Sequence, residues 1–191
     1  GGDCTPLTTD HNILPVKLEW KKDGNTVKTV YNTYNGTGTV LAGNNGAGSN
    51  SDQLNRPTSV AVDKAGNTYV CDSWNHRVQK WEPGATSGIT VAGGNGQGSG
   101  SNQFDYPWGI ALDKSGNIYV ADFYNSRIQK WAPGATSGVT VAGGNGYGNA
   151  ANQLGHPYNI VLKDDGTLYV SDGDNDRVQK WAPGATSGVT V

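Results

Sequence analysis

The chain has 191 residues, enough for one ordinary hydrophobic core or for a row of small repeated ones. Its 29 glycines and its abundant Asn, Thr and Ser favour strands and turns over helices, because these residues are poor helix formers. Fourteen basic residues against sixteen acidic ones give a net charge of -2, without a basic run that could follow a phosphate backbone. The composition therefore argues for an all-β protein and against nucleic acid as a partner.

The N-terminal region carries the features that bear on location. Its Gly-Gly-Asp-Cys start lacks the charged and apolar regions of a signal peptide, and the absence of methionine indicates a processed or partial product. No stretch approaches the roughly 20 apolar residues of a membrane span. Cys4 and Cys71 fit either one disulfide in an oxidising compartment or two free thiols. With a glycosylation sequon at Asn35, we predict an extracellular or cell-surface protein.

Three gapless copies of a 50-residue repeat dominate the rest of the chain, at residues 41–90, 91–140 and 141–190. The segment 131–141 recurs unchanged at 181–191. A single globular core could not accept that identity at separate places, so the copies must occupy equivalent environments.

The first 40 residues fit the repeat only in part. Thr26–Tyr31 alternates enough to form a strand, and residues 36–40 align with the end of the next copy. We therefore predict that residues 24–40 are the outer half of a degenerate preceding unit. Residues 1–23 match no repeat position and form a segment of unknown role.

Each copy contains four short runs that read as strands bounded by turn residues. In the second copy these runs are Trp108–Leu112, Asn117–Ala121, Arg127–Trp131 and Gly138–Ala142. Gly116 suits the positive φ of a tight hairpin between the first two. Because every connection is short, the four strands should form one antiparallel meander. Such a sheet cannot bury both faces alone, and a four-stranded unit at this period is typical of a β-propeller.

A family resemblance appears in the first copy at the runs 57–63, 66–72 and 75–81, which read PTSVAVD, GNTYVCD and NHRVQKW. They resemble the NHL repeat, whose pattern is Pro-x-Gly-Ile-Ala-Val-Asp, Gly-Asn-Ile-Tyr-Val-Ala-Asp and Asn-His-Arg-Ile. The resemblance implies a propeller, usually of six blades. We predict NHL-like four-stranded antiparallel blades at residues 41–90, 91–140 and 141–191.

Three blades are fewer than the roughly four to eight of known propellers, so the ring is incomplete in this chain. Two explanations are open. The residues belong to a longer polypeptide that completes the ring, or several chains join edge strand to edge strand into a composite propeller or fibre.

Two sets of residues recur in every copy. The first is an Asp, Asn and Arg set, at 72, 75 and 77 in the first copy, which we interpret as architecture because Asp and Arg can bridge the turn between two strands. The second is a tryptophan on the third strand, at 81, 131 and 181. We expect these tryptophans to pack against the next blade, with sugar stacking as the alternative.

More informative for function are positions where the copies disagree, because the repeated fold does not dictate them. They surround the proline that opens each blade and fill the loop between the second and third strands, and in a propeller both regions lie on the same face. The predicted ligand-binding set comprises Trp74, Tyr106, Trp108, Phe123, Tyr124, His156 and Tyr158. Some of these rings could instead plug the central channel.

Metal and enzyme signatures are weak. Asp172, Asp174 and Asp176 are spaced as in a calcium loop, but Arg177 stands where that loop needs glycine and no glutamate closes it. The three histidines have unrelated spacings. We therefore predict no cofactor and a non-catalytic scaffold that binds a protein or carbohydrate partner, self-assembles through open blade edges, or both. The alternative is a fragment of a six-bladed NHL propeller enzyme resembling metal-dependent lyases or hydrolases.

Overall fold

The computed structural model describes residues 16–22, 25–32 and 39–191, which divide into two compact units at the Val40–Leu41 bond. In the first unit, strand β1 (Val16–Lys22) pairs antiparallel with β2 (Asn25–Asn32). The predicted strand lies within β2. The β1–β2 hairpin extends across the predicted boundary between residues 23 and 24. The predicted division of the first 40 residues into an N-terminal segment (1–23) and a partial blade (24–40) stays a prediction. Across the described ranges, no helix is long and apolar enough to cross a membrane.

The second unit consists of three four-stranded antiparallel sheets, here named blades 1, 2 and 3. Blade 1 contains β3 (Pro57–Val62), β4 (Thr68–Asp72), β5 (Arg77–Trp81) and β6 (Ile89–Gly93). Blade 2 contains β7 (Pro107–Leu112), β8 (Ile118–Asp122), β9 (Arg127–Trp131) and β10 (Val139–Gly143). Blade 3 contains β11 (Pro157–Leu162), β12 (Leu168–Asp172), β13 (Arg177–Trp181) and β14 (Val189–Thr190). The predicted all-β fold of propeller-type blades is confirmed.

Local turn chemistry sets the first hairpin of blades 1 and 2. In blade 2, Asp113 Oδ1 accepts hydrogen bonds at 2.9 Å from the backbone N–H groups of Ser115 and Asn117. Gly116 takes φ +81°, as the hairpin requires. The aspartate therefore ties the end of β7 to the start of β8 without any contribution from the core.

The recurring Asp, Asn and Arg set is architectural. Asp122 is fully buried, and its Oδ2 accepts from Asn125 at 2.9 Å and from Arg127 Nε at 2.7 Å. The Arg127 guanidinium also donates to three carbonyls of the loop at 99–103, at 2.8 to 3.1 Å. Equivalent bonds form in blades 1 and 3. Each set thus fastens the loop that enters a blade onto that blade's own turn.

The hydrophobic core lies between neighbouring blades. Trp131 is 2% exposed and shares a cluster with Tyr69, Cys71 and Val78 of blade 1, while Trp181 occupies the same place against blade 2. Packing was correctly predicted, but the partner is the preceding blade and not the next. Alternation along β9 assigns Trp131 to one side of the sheet without saying which neighbour covers that side.

The first strands of adjacent blades approach one another closely. A Cβ on Gly109 would lie 2.6 Å from the backbone oxygen of Tyr158 and 2.8 Å from Cα of Asn159. Thr58 Oγ1 donates to the backbone oxygen of Trp108 at 2.8 Å. The side chains that flank the opening proline of each blade are therefore near those of the next blade.

Cys71 is fully buried in the joint between blades 1 and 2, and burial raises the pKa of its thiol. In a Cys4→Ser variant, we expect Ellman's reagent to label native protein at least about 100-fold more slowly than unfolded protein. Equal rates in native and denatured protein would contradict this burial. Cys4 and Asn35 lie outside the described residues, so the disulfide and the glycosylation site stay predictions.

Candidate functional site

A one-turn 3-10 helix joins the second and third strands of each blade, at Ser73–Asn75, Phe123–Asn125 and Gly173–Asn175. In blade 2, the N–H of Tyr124 donates to the backbone oxygen of Asp105 at 3.1 Å. In blade 1 the equivalent bond runs from the N–H of Trp74 to the backbone oxygen of Asn55 at 3.2 Å, and in blade 3 the N–H of Gly173 donates to the backbone oxygen of His156 at 3.2 Å. The two regions that differ between copies are therefore held side by side, as predicted.

The residue before the opening proline pairs with the middle residue of the turn in every blade. The three pairs use different chemistry: Arg56 lies over Trp74 at 4.1 Å, Tyr106 meets Tyr124 edge to face at 5.4 Å, and His156 Nδ1 lies 2.6 Å from Asp174 Oδ2. A cation–π contact, an aromatic pair and a hydrogen-bonded imidazole–carboxylate pair thus fill one equivalent place. Both residues of the pair differ between the copies, yet the two contact each other in every blade.

The residue after the proline pairs with the first residue of the turn in blades 2 and 3. Trp108 lies 5.0 Å from Phe123, centroid to centroid. In blade 3 the ring of Tyr158 occupies the space in which a side chain on Gly173 would stand, and a Cβ there would overlap it. Blade 3 has glycine where blade 2 has Phe123, and the ring of Tyr158 fills the space that an aromatic side chain at this turn position would take.

Contacts between blades join these pairs into one cluster. Trp74 meets Tyr106 at 6.0 Å, Tyr124 meets His156 at 5.2 Å and Trp108 meets Tyr158 at 5.7 Å. Phe123 stacks on His156 at 4.4 Å, with 13° between the ring planes. All seven predicted residues thus converge into what we call the aromatic face: Trp74, Tyr106, Trp108, Phe123, Tyr124, His156 and Tyr158.

Exposure divides the aromatic face into a contact layer and a support. Trp74, Trp108, Tyr124 and Tyr158 are 37 to 55% exposed. Phe123 is only 7% exposed and lies among the other rings. We therefore expect it to support the exposed rings and not to contact a ligand directly. Four rings therefore present apolar surface to solvent on a rigid base.

Two further residues join the aromatic face. The Tyr147 ring lies 5.1 Å from His156, and its hydroxyl donates to Asp174 Oδ2 at 3.3 Å. The His76 ring lies 4.8 Å from Tyr106, and its Nδ1 accepts from the backbone N–H of that residue. The copies also differ at both positions, so comparing the copies with one another could have identified Tyr147 and His76 as well.

The electrostatic character differs between the two ends of the face. Arg56 supplies positive charge in blade 1, while Asp174 supplies a carboxylate in blade 3. Desolvation, and then the Asp174 charge, raises the pKa of the Tyr147 hydroxyl, and desolvation lowers the pKa of His76. The face therefore has a cation from Arg56 at one end and the Asp174 carboxylate at the other, beside hydroxyl and imidazole groups that can form hydrogen bonds.

Metal-binding chemistry is not assembled in residues 39–191. No three His, Cys, Asp or Glu side chains there are grouped so as to hold an ion. Asp172, the first carboxylate of the calcium-like spacing, is buried and bonded to Asn175 and Arg177. Asp176 takes φ +49° at the end of its turn.

Open grooves also lie between adjacent blades. One is lined by Tyr69, Lys80 and Ile118 of blades 1 and 2, and its equivalent by Tyr119, Lys130 and Leu168 of blades 2 and 3. Because the same groove recurs at each joint, it follows from blade packing.

Comparisons with known proteins agree with this architecture. The NHL repeat family model matches residues 54–81 and 104–131. No curated protein sequence matches the chain.

Similar solved structures include a protein of unknown function from Bacteroides thetaiotaomicron, with 21% identity, a TM-score of 0.51, and coverage of 61% of this chain and 32% of the other. An auxiliary nutrient binding protein from the same organism has 18% identity, a TM-score of 0.52 and coverages of 63% and 36%. A streptogramin B lyase has 15% identity, a TM-score of 0.48 and coverages of 71% and 39%, too weak a likeness to carry an argument.

The chain spans about a third of the length of these structures, and the likeness shows the fold alone. The matched repeats coincide with the first three strands of blades 1 and 2. Two segments of the chain therefore match the NHL repeat model, and residues 57–190 fold as four-stranded antiparallel blades of β-propeller type.

Proposed function

We propose that the three blades form a non-catalytic scaffold whose aromatic face binds a carbohydrate partner in an extracellular or cell-surface setting. One observation carries the proposal. The aromatic rings at positions where the copies disagree form a single contiguous cluster, and four of them expose a large part of their surface.

The positions fixed by the repeat already have structural work. The Asp, Asn and Arg set fastens the entry loops, and Trp131 and Trp181 fill the two joints between blades. Residues of the aromatic face are not needed for either task, because blade 1 has Thr58 and Ser73 where blade 2 has Trp108 and Phe123. Their aromatic character is thus better explained by contact with a ligand.

The chemistry of the face suits a sugar. Exposed indole and phenol rings provide flat apolar surface for the CH face of a pyranose, at little entropic cost. The Asp174 carboxylate, the Tyr147 hydroxyl and the His156 imidazole lie next to these rings and can pair with hydroxyl groups. Peptide binding, which would use the same rings, is the alternative that the experiment distinguishes.

The test is a screen of the full chain against an array of neutral and acidic oligosaccharides and against a displayed peptide library. For a sugar hit, we expect Trp108→Ala with Tyr124→Ala to weaken binding at least about 10-fold, because stacking area is lost. Ile89→Ala truncates a 58% exposed apolar side chain outside the face and should leave binding unchanged. Unchanged affinity in the double variant would overturn the proposal, and hits confined to peptides would replace sugar by peptide.

A further inference from the structure

Arg56 differs in its contacts from the other three arginines of the chain. Arg77, Arg127 and Arg177 each pair with a buried aspartate of their own blade at 2.7 to 2.8 Å and donate to carbonyls of the entry loop. Arg56 forms no ion pair within residues 39–191, and its guanidinium carbon lies 4.1 Å from the ring centroid of Trp74. Three arginines thus serve the architecture, while the fourth lies beside the aromatic face.

The contact with Trp74 holds the Arg56 guanidinium without using its N–H groups. A guanidinium over an indole is attracted to the π electrons of the ring, while its five donors remain available in its own plane. In the part of the chain from residue 39 onward, none of these donors is bonded to another residue. Two parallel N–H groups match the two oxygens of a carboxylate, and such bidentate pairs are among the strong hydrogen bonds of proteins. Arg56 is therefore suited to bind a planar anion.

The accessibility of Arg56 does not depend on whether another blade lies beside it. The equivalent positions at the two internal joints are Tyr106 and His156, whose rings contact Trp74 and Tyr124 of the preceding blade. Both keep part of their surface in water, since Tyr106 is half-buried and the side chain of His156 is 23% exposed. We therefore expect Arg56 to remain accessible with a neighbouring blade in place.

The charges beside the aromatic face give it a direction. Arg56 lies over Trp74 in blade 1, and the exposed carboxylate of Asp174 lies in blade 3. The rings of Tyr106 and Tyr124 lie between these two ends. An anionic group is attracted to the arginine and repelled by the aspartate. A ligand with an acidic group therefore favours one orientation, with that group over blade 1.

We propose that the ligand of the aromatic face is an acidic oligosaccharide, in which a uronic acid carboxylate forms a bidentate pair with Arg56. Neighbouring pyranose rings stack on Tyr124 and Trp108, which are 55% and 37% exposed. This inference rests on the proposed function and adds the class of sugar. A chain of uronic acids combines planar carboxylates with apolar CH faces, which are the two features that the arginine and the adjoining rings can bind.

The experiment measures the binding of tetrasaccharides of glucuronic, galacturonic and mannuronic acid, each beside its carboxyl-reduced counterpart. Reduction turns every carboxylate into a primary alcohol and leaves the rings and linkages unchanged. We expect the full chain to bind a carboxylated form at least about 10-fold more tightly than the matched reduced form. Added salt should weaken binding of the carboxylated form far more than binding of the reduced one.

Three variants assign this preference to Arg56. Arg56→Gln should bring the two affinities to within about 2-fold of each other and leave binding of the reduced form nearly unchanged. Arg56→Lys keeps the charge without the planar fork and should retain part of the preference. Lys64→Gln is the matched control, because it removes one exposed positive charge from the β3–β4 hairpin, at the other end of β3 from Arg56.

The outcomes separate the class of sugar from sugar binding itself. Equal affinity for both forms in the unmodified chain, or a preference that survives Arg56→Gln, would overturn the acidic ligand. If neutral sugars bind, lose affinity in the Trp108→Ala and Tyr124→Ala double variant, and no carboxylated form binds more tightly, sugar binding stands and only the acidic class fails. Absence of binding to any sugar, neutral or acidic, would overturn both.

Discussion

Asp122→Ala is expected to lower the free energy of unfolding by about 3–5 kcal/mol. Asp122 is fully buried and accepts hydrogen bonds from the Asp105 amide at 2.7 Å, from Asn125 at 2.9 Å and from Arg127 Nε at 2.7 Å. Alanine removes all three acceptor contacts and leaves the largely buried Arg127 charge without its counterion. Urea denaturation followed by circular dichroism measures the loss.

Two variants make the result specific. Asp122→Asn keeps one carbonyl oxygen as an acceptor and should cost less than alanine. Asp164→Ala removes an aspartate from an exposed ion pair with Lys114, whose side chains are 80% and 64% exposed, and should cost about 0–1 kcal/mol. If Asp122→Ala were as mild as Asp164→Ala, the recurring Asp, Asn and Arg set would not be what fastens the entry loops.

The strand pattern of the blades could be predicted because alternation and turn residues act locally. Gly116 and Asp113 define a hairpin within a few residues, and the 50-residue period repeats that information in each copy. The side on which Trp131 finds its partner could not be predicted, because it depends on how sheets are arranged around one another. The hairpin of β1 and β2 was predicted only in its second strand, since Val16–Lys22 has no counterpart in the repeat.

The members of the aromatic face could be predicted by comparing the copies with one another. Their pairing could not, because the contact between Arg56 and Trp74, or between His156 and Asp174, depends on which two loops the fold places side by side. Tyr147 was missed because it lies nine residues before His156 in the connection between β10 and β11, away from the opening proline. The sequence thus gives candidates for a surface, and the fold determines which of them meet.

Trp131→Ala is expected to cost about 3–5 kcal/mol, because it opens a cavity in the joint between blades 1 and 2. Trp131 is 2% exposed, lies 5.5 Å from Phe104 and donates from Nε1 to Gln129 Oε1 at 3.0 Å. Its loss therefore removes apolar packing and also leaves the buried Gln129 amide without a donor. Trp74→Ala, which truncates a 45% exposed indole, is the matched control and should change stability by less than about 1 kcal/mol.

The shape of the unfolding transition tests how the blades depend on one another. In repeat proteins, stability is roughly the sum of each repeat's own stability and the contacts with its neighbours. Trp131 contributes mainly to a contact between neighbours, so Trp131→Ala should broaden the denaturant transition or divide it, as blade 1 uncouples from blades 2 and 3. Asp122 acts through one entry loop and its own turn, and Asp122→Ala should instead shift the transition without dividing it. A sharp, unshifted transition for Trp131→Ala would mean that the joint is not what couples the blades.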